Sequence, residues 1–171
     1  MATLVSYTDG EPLTLDEVRL YSHIDGDDQD ALIEGVIIPG ARALAESKTG
    51  SIIRKGTFTE TILLGAALSV GQVVLVEAVK IDGADVAFTL VEKGRRTIVQ
   101  SAGNEGKEAV VRFTAGTDLT QHPTVKSWLL LACGWMYDHR EIMTSGPNAF
   151  NEMPKSYVDA LLLPIEVPNP F

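Results

Sequence analysis

Pro123-Thr-Val-Lys-Ser-Trp-Leu-Leu-Leu-Ala-Cys-Gly-Trp-Met-Tyr-Asp-His-Arg-Glu-Ile142 is the most strongly patterned stretch of this 171-residue chain. Val125, Trp128, Leu129, Ala132, Trp135, Met136, His139 and Ile142 recur at spacings of three and four. That spacing lays them along one stripe of a 3.6-residue helix. Leu130, Leu131 and Cys133 widen the apolar surface, so the helix is expected to be buried on more than one face. Pro123 suits the first turn, where a missing N–H costs nothing. Ser145-Gly146-Pro147 ends the run. Both tryptophans lie here, seven residues apart, and the stripe predicts a core position for each.

Working back from this helix, residues 51–114 change period from 3.6 to two. Strands are predicted at Ile52–Lys55, Phe58–Leu64, Gln72–Val79, Val86–Glu92, Thr97–Ser101 and Ala109–Thr114, with turns at Ser69-Val-Gly71, Asp82-Gly83, Lys93-Gly94 and Gly103–Gly106. Asp82-Gly83 is a hairpin signal. Val73, Leu75 and Ala78 alternate only loosely. Lys93, Arg95 and Arg96 make a basic tip: a solvated hairpin end, or a contact for an acidic partner subunit.

Residues 1–12 read as an extended lead-in. Thr14-Leu-Asp-Glu17 has the form of a capping box and predicts a short helix over 15–23. In Asp25-Gly-Asp-Asp-Gln-Asp30 a calcium loop fails on position: the sixth residue is Asp30 where glycine is needed, and the twelfth is Val36 where glutamate is needed. The segment reads instead as a turn, with Asp27 or Asp28 capping a helix over Ala31–Thr49 that Gly50 ends. Pro39 predicts a kink or break in that helix. After a loop at Gly146–Glu152, a last helix covers Met153–Leu163. Pro164-Ile-Glu-Val-Pro-Asn-Pro-Phe171 then forms an extended tail, which is either an arm for another chain or a frayed end. The fold class is therefore α+β: a small helical bundle of about four helices, residues 1–50 and 115–171, carrying a mostly antiparallel β insert at 51–114.

Composition narrows the function. The formal net charge is −9, and residues 1–50 carry ten acids against three bases. Such a chain is not built to grip nucleic acid by neutralising phosphates. The excess serves solubility or repels a polyanion. No apolar run is long enough for a membrane span, and residues 1–17 lack the pattern of a signal peptide. A single cysteine, Cys133, fits a reducing compartment. His23, His122 and His139 are scattered, and none has metal-ligand spacing with Cys133. Cys133 and His139 point from different faces of one helix, and no nucleophile elbow, zinc-protease motif or phosphate loop is present. No enzyme, cofactor or metal site is expected.

Taken jointly, the motifs resemble a known family. They are Leu13–Val18, the acidic turn Ile24–Ile33, the helix end Ala45–Gly50, the strand end Val111–Gly116, Leu129–Glu141, and a final helix running to Pro164. This order is similar to that of the head–tail connector (adaptor) proteins of long-tailed bacteriophages and gene transfer agents. The likeness is clearest at Trp135-Met-Tyr137 followed by Arg140-Glu141, with Trp128 earlier on the same helix. Pro39-Gly40 departs from the family's unbroken helix.

The resemblance implies a structural virion protein, made in the host cytoplasm and placed at the capsid vertex. It implies a homo-oligomeric ring, as a rule a dodecamer, below the portal protein. The ring extends the channel for DNA packaging and ejection and is the platform for stopper or tail proteins. DNA passes through without specific binding, and no membrane is involved. Portal contacts are expected from Pro164, Ile165, Val167, Pro168, Pro170 and Phe171. The capping-box helix and acidic turn are candidates for the lumen or ring interface, and the β insert for the next ring down. Two other readings compete: a tail-completion or stopper protein of the neck, and a small ligand-binding α+β domain.

Overall fold

The computed structural model describes residues 1–139 and 155–168. It is an α+β fold with two compact units. The first comprises Met1–Gly10, Glu46–Asp118 and Ile165–Phe171, and the second Glu11–Ala45 and Leu119–Pro164.

The β unit holds seven strands: β1 Thr3–Tyr7, β2 Gly56–Leu63, β3 Val73–Ile81, β4 Ala84–Asp85, β5 Thr89–Lys93, β6 Arg96–Gln100 and β7 Glu108–Ala115. Five form an antiparallel sheet in the order β1-β2-β7-β3-β4, and β5 and β6 form a separate hairpin. Alternation puts Phe58, Ile62, Val76, Val79, Ala109, Val111 and Phe113 on the inner face of the sheet, where they form one apolar cluster with Leu64, Leu68 and Val99. Phe58 and Phe113 are opposite each other in the ladder, and their rings stack with centroids 5.9 Å apart. The loose alternation of β3 has a cause in the ladder. Its register against β7 shifts twice, between Val73 and Leu75 and between Val76 and Ala78. Each extra residue re-phases the strand, which an alternation count cannot anticipate.

Two turns match their sequence signals. Asp82-Gly83 and Gly94-Arg95 each have two positive φ angles, 50° and 83° in the first and 58° and 63° in the second. That is the backbone of a type I′ turn, whose twist suits a two-residue hairpin.

Two expectations for this unit are corrected and one is sharpened. The lead-in is an edge strand: Thr3–Tyr7 pairs with β2 across a register shift between Leu4 and Ser6. Ile52–Lys55 is not a strand, because its polar groups are engaged elsewhere. The Glu46 carboxylate accepts from the N–H groups of Ile53 and Arg54 at 2.9 and 3.2 Å. Thr117 donates through its hydroxyl to Ile52 O and through its N–H to Ile53 O. The strand expected over Val86–Glu92 is confined to Thr89–Lys93, while Val86 and Phe88 pack half-buried against the apolar cluster.

The helical unit opens with α1, Leu15–Ser22. Its capping box is complete: Thr14 Oγ1 accepts from Glu17 N–H at 3.3 Å, and Glu17 Oε2 accepts from Thr14 N–H at 3.0 Å. The acidic turn that follows is organised by Arg19, which donates to the Gly26 carbonyl and to Asp30 Oδ2. Neither Asp27 nor Asp28 caps the next helix. The N-cap is Gln29, whose side chain makes no capping bond to the helix, and Asp27 contributes its backbone carbonyl to Asp30 N–H.

That next helix runs as α2 Asp30–Leu32, a π-helical turn at Ile33–Ile37, and α3 Ile38–Thr49. The helix therefore does not break at Pro39. Pro39 cannot donate to the Gly35 carbonyl, and its ring would crowd that carbonyl in an α-helix. One wider turn, in which Ile38 N–H reaches back five residues to Ile33 O, removes the conflict. Gly50 ends the helix at φ 66° as expected.

Helix α4 covers Pro123–Asp138 with proline in its first turn, and α5 covers Lys155–Ala160. Val125, Trp128, Leu129 and Cys133 are the buried stripe of α4. With Leu13, Val18, Ile33, Ile37, Ile38, Ala41, Ala45 and Leu162 they supply the apolar interior of this unit. No helix among the described residues is long and apolar enough to cross a membrane.

Candidate interaction surfaces

Two constellations stand out, one in each unit. In the β unit, the start of the C-terminal tail is seated in a site made by three short segments of chain. Val167 N–H donates to Thr49 O at 2.8 Å. Ser51 Oγ donates to Ile165 O. Arg95 Nη1 donates to Glu166 O at 3.0 Å, and Arg96 Nη2 to Pro168 O at 3.1 Å. Ile165 is fully buried and Val167 nearly so. All four of these bonds engage the tail's main chain, and the two alternate apolar side chains supply the buried area. This is the division of labour of an extended peptide on a receptor surface.

Local structure explains how the site is made. The type I′ turn at Gly94-Arg95 throws both arginines to one end of the β5–β6 hairpin. The Gly50 turn brings Thr49 and Ser51 alongside, and Gly71 N–H donates to Gly50 O at 2.9 Å. Gly71 is buried, and a Cβ there would overlap both Val167 Cγ2 and Ser51 Oγ. Glycine is thus required at this position by close approach. Gly71→Ala is expected to lose about 1–3 kcal/mol through overpacking and to unseat the tail. Carboxypeptidase trimming followed by mass spectrometry should then proceed past Val167; protection equal to that of the parent chain would contradict the site.

In the helical unit, charged pairs tie elements together. Arg42 on α3 donates to Glu11 through Nε at 2.7 Å and through Nη2 at 3.3 Å, with both side chains largely buried. Lys126 on α4 donates to Glu17 on α1. That bond, and next the Thr14 N–H, hold the Glu17 carboxyl below its ordinary value of 4.5. A carboxyl with a depressed folded pKa adds stability above its unfolded pKa and loses it as pH falls through the folded one. Acid titration of stability should therefore be steeper below about pH 4.5 in the parent than in Glu17→Gln. Identical slopes would show that the pair contributes nothing.

Trp128 and Trp135, expected together in the core, part company. Trp128 is buried, whereas Trp135 is 55% exposed and stacks on His139 with centroids 4.8 Å apart. Trp135 departs from the stripe's expectation, while Cys133, on the widened apolar surface, is fully buried and its thiol is pushed up to about 12 by burial. Tyr137 is half-buried. Arg140 and Glu141 lie outside the described residues, as do the Gly146–Glu152 loop, Pro170 and Phe171. Of the other tail residues, Pro164 is half-buried and Pro168 exposed.

The residues that sequence reasoning missed are the tail's receptors: Thr49, Ser51 and Gly71. Arg95 and Arg96 carried a signal as a basic tip, and both donate to main-chain carbonyls of the tail. Among the described residues no group of three or more His, Cys, Asp or Glu is placed to hold a metal ion.

No protein-family model matches the chain, and no curated protein matches it. Solved structures do. The chain is similar to one in the virion of a native gene transfer agent particle, with a TM-score of 0.76 at 19% identity. It is also similar to chains in the neck of an empty particle, computed with C6 symmetry, at TM-score 0.73. A third likeness is to the neck of a native particle, computed with C12 symmetry, at TM-score 0.72. Each alignment covers 100% of this chain and 97% of the other.

Proposed function

We propose that this chain is a structural subunit of a phage-like neck: a head–tail adaptor that assembles as a homo-oligomeric ring beneath the portal and performs no catalysis. The observation that carries this reading is the end-to-end likeness to neck chains, helices and β insert together, with little left over on either side. The order of sequence motifs points the same way. A subunit that lives in a ring should also leave large apolar side chains uncovered when alone, and Leu20, Val36, Trp135, Tyr157 and Leu163 on the helical unit are all more than half exposed. The net charge of −9 suits a channel through which a duplex must slide without sticking.

In this role the ring extends the DNA channel and offers its far side to a stopper or tail protein. The tail is the portal-facing element. Ile165 and Val167 are occupied as anchors in the β unit, so the contact with the portal is assigned to Pro168, Pro170 and Phe171, with Pro164 at the base. The direct test is mixing with the cognate portal protein followed by electron microscopy. A ring stacked on the portal is expected; a chain that stays free at every ratio would sink the adaptor reading. Removing residues 169–171 should weaken portal attachment while leaving the ring intact.

A further inference from the structure

The site that seats the tail has a second use open to it. A ring built from identical subunits needs two different surfaces on each, complementary to one another, so that every subunit gives one and receives the other. This chain displays such a pair on itself. The donor is Ile165-Glu-Val-Pro168, and the acceptor is the receptor made by Thr49, Ser51, Gly71, Arg95 and Arg96. We propose that in the assembled ring the acceptor of each subunit is filled by the tail of its neighbour, so that these segments are exchanged around the ring. The proposal rests on the ring reading above and adds the identity of one interface.

Three features carry it. Exchange gives up no contact, because an identical tail makes the same four main-chain bonds and buries the same two side chains in an identical receptor. What is lost is only the advantage of tethering, and neighbours held in a closed ring restore a high effective concentration. The tail is also the segment where the chain passes from one compact unit to the other: residues up to Pro164 cluster with the helices, and Ile165 onward with the strands. A segment whose partners all belong to a different unit from the chain leading into it is suited to being handed over. Finally, Pro164 and Pro168 bracket the segment and restrict its backbone, so it loses less entropy when it docks, in its own subunit or in the next.

The geometry provides its own test. A Cβ built at Gly50 lies 3.7 Å from Val167 Cβ, within the span a disulfide needs. The full chain with Gly50→Cys and Val167→Cys is assembled into rings, oxidised, and run on denaturing gels without reductant. The native Cys133 is buried, with its thiol pushed up to about 12, and stays out of the chemistry. Exchange predicts loss of the monomer band into a ladder of covalently joined chains. Rings that yield only monomer overturn the exchange and leave the ring reading standing. A chain that forms no ring and yields only monomer overturns both.

Gly50 sits at φ 66°, where a cysteine is strained by about 1–2 kcal/mol. A second measurement therefore covers the case of a variant that does not fold. A photo-crosslinking benzoyl-phenylalanine replaces the exposed Glu166 in rings made from equal amounts of heavy- and light-isotope chains. Cross-linked peptides of mixed isotope support exchange, and peptides of a single isotope overturn it.

Discussion

Phe113→Ala is expected to cost about 3–5 kcal/mol, the range for removing a fully buried aromatic ring. Phe113 is completely buried on the inner face of β7, the middle strand of the five-stranded sheet. Its ring stacks on Phe58 and stands in the cluster formed by Val76, Val79, Val99 and Val111. The ladder on both sides of β7 fixes the backbone, so the neighbours have little freedom to close over the void. The cost is the lost transfer energy of the ring plus that of the cavity left behind. Denaturant unfolding followed by far-ultraviolet circular dichroism measures it. A loss below about 1 kcal/mol would mean that the sheet collapses onto the gap, and that the core is far softer than its burial implies.

The second large effect is expected at the Glu11–Arg42 pair. Glu11→Ala should destabilise by about 3 kcal/mol, the low end for breaking a buried ion pair from one side. The low end applies because the Glu11 side chain keeps 19% of its exposure and that of Arg42 10%. The guanidinium gives Nε and Nη2 to the two carboxylate oxygens, a fork that a lysine could not reproduce. Replacing both members, Glu11→Met with Arg42→Met, should recover most of the loss, since no uncompensated charge is then buried. If the double variant is as unstable as Glu11→Ala, the pair is not acting through charge, and lost packing of the arginine stem is the better account.

What could be read from the sequence was local. Thr14 and Glu17 specify the capping box, Asp82-Gly83 the type I′ turn, Gly50 the helix end and Pro123 the start of α4; in each case one or two residues contain the whole cause. The alternation of Phe58–Leu64 and Ala109–Thr114 likewise placed β2 and β7. What escaped depends on partners distant in the chain. Ile52–Lys55 has the composition of a strand, but a carboxylate seven residues back takes its N–H groups. Thr3–Tyr7 is a strand only because β2 lies beside it, and its side chains, all exposed, carry no buried-and-exposed alternation. Pro39 announced a disturbance, but the remedy, one residue accommodated in a wide turn, is settled by the helix on both sides. The stripe on α4 gave Trp128 correctly and Trp135 wrongly, because helical spacing states which residues share a face and not how far along the helix its cover extends. The tail's receptor was hidden for the same reason: Ser51 and Ile165 are 114 residues apart.

The placement of the two tryptophans has a practical corollary. Both belong to the helical unit, and the β unit has no indole at all. Intrinsic emission excited at the red edge therefore reports one half of the molecule and is blind to the other. Within that half the two fluorophores differ: Trp128 is shut away from solvent, while Trp135 is open on one side and covered by an imidazole on the other. A water-soluble quencher such as iodide should extinguish the longer-wavelength part of the spectrum first. In the proposed ring, a change in that quenchable fraction would register the covering of Trp135 without any label being attached.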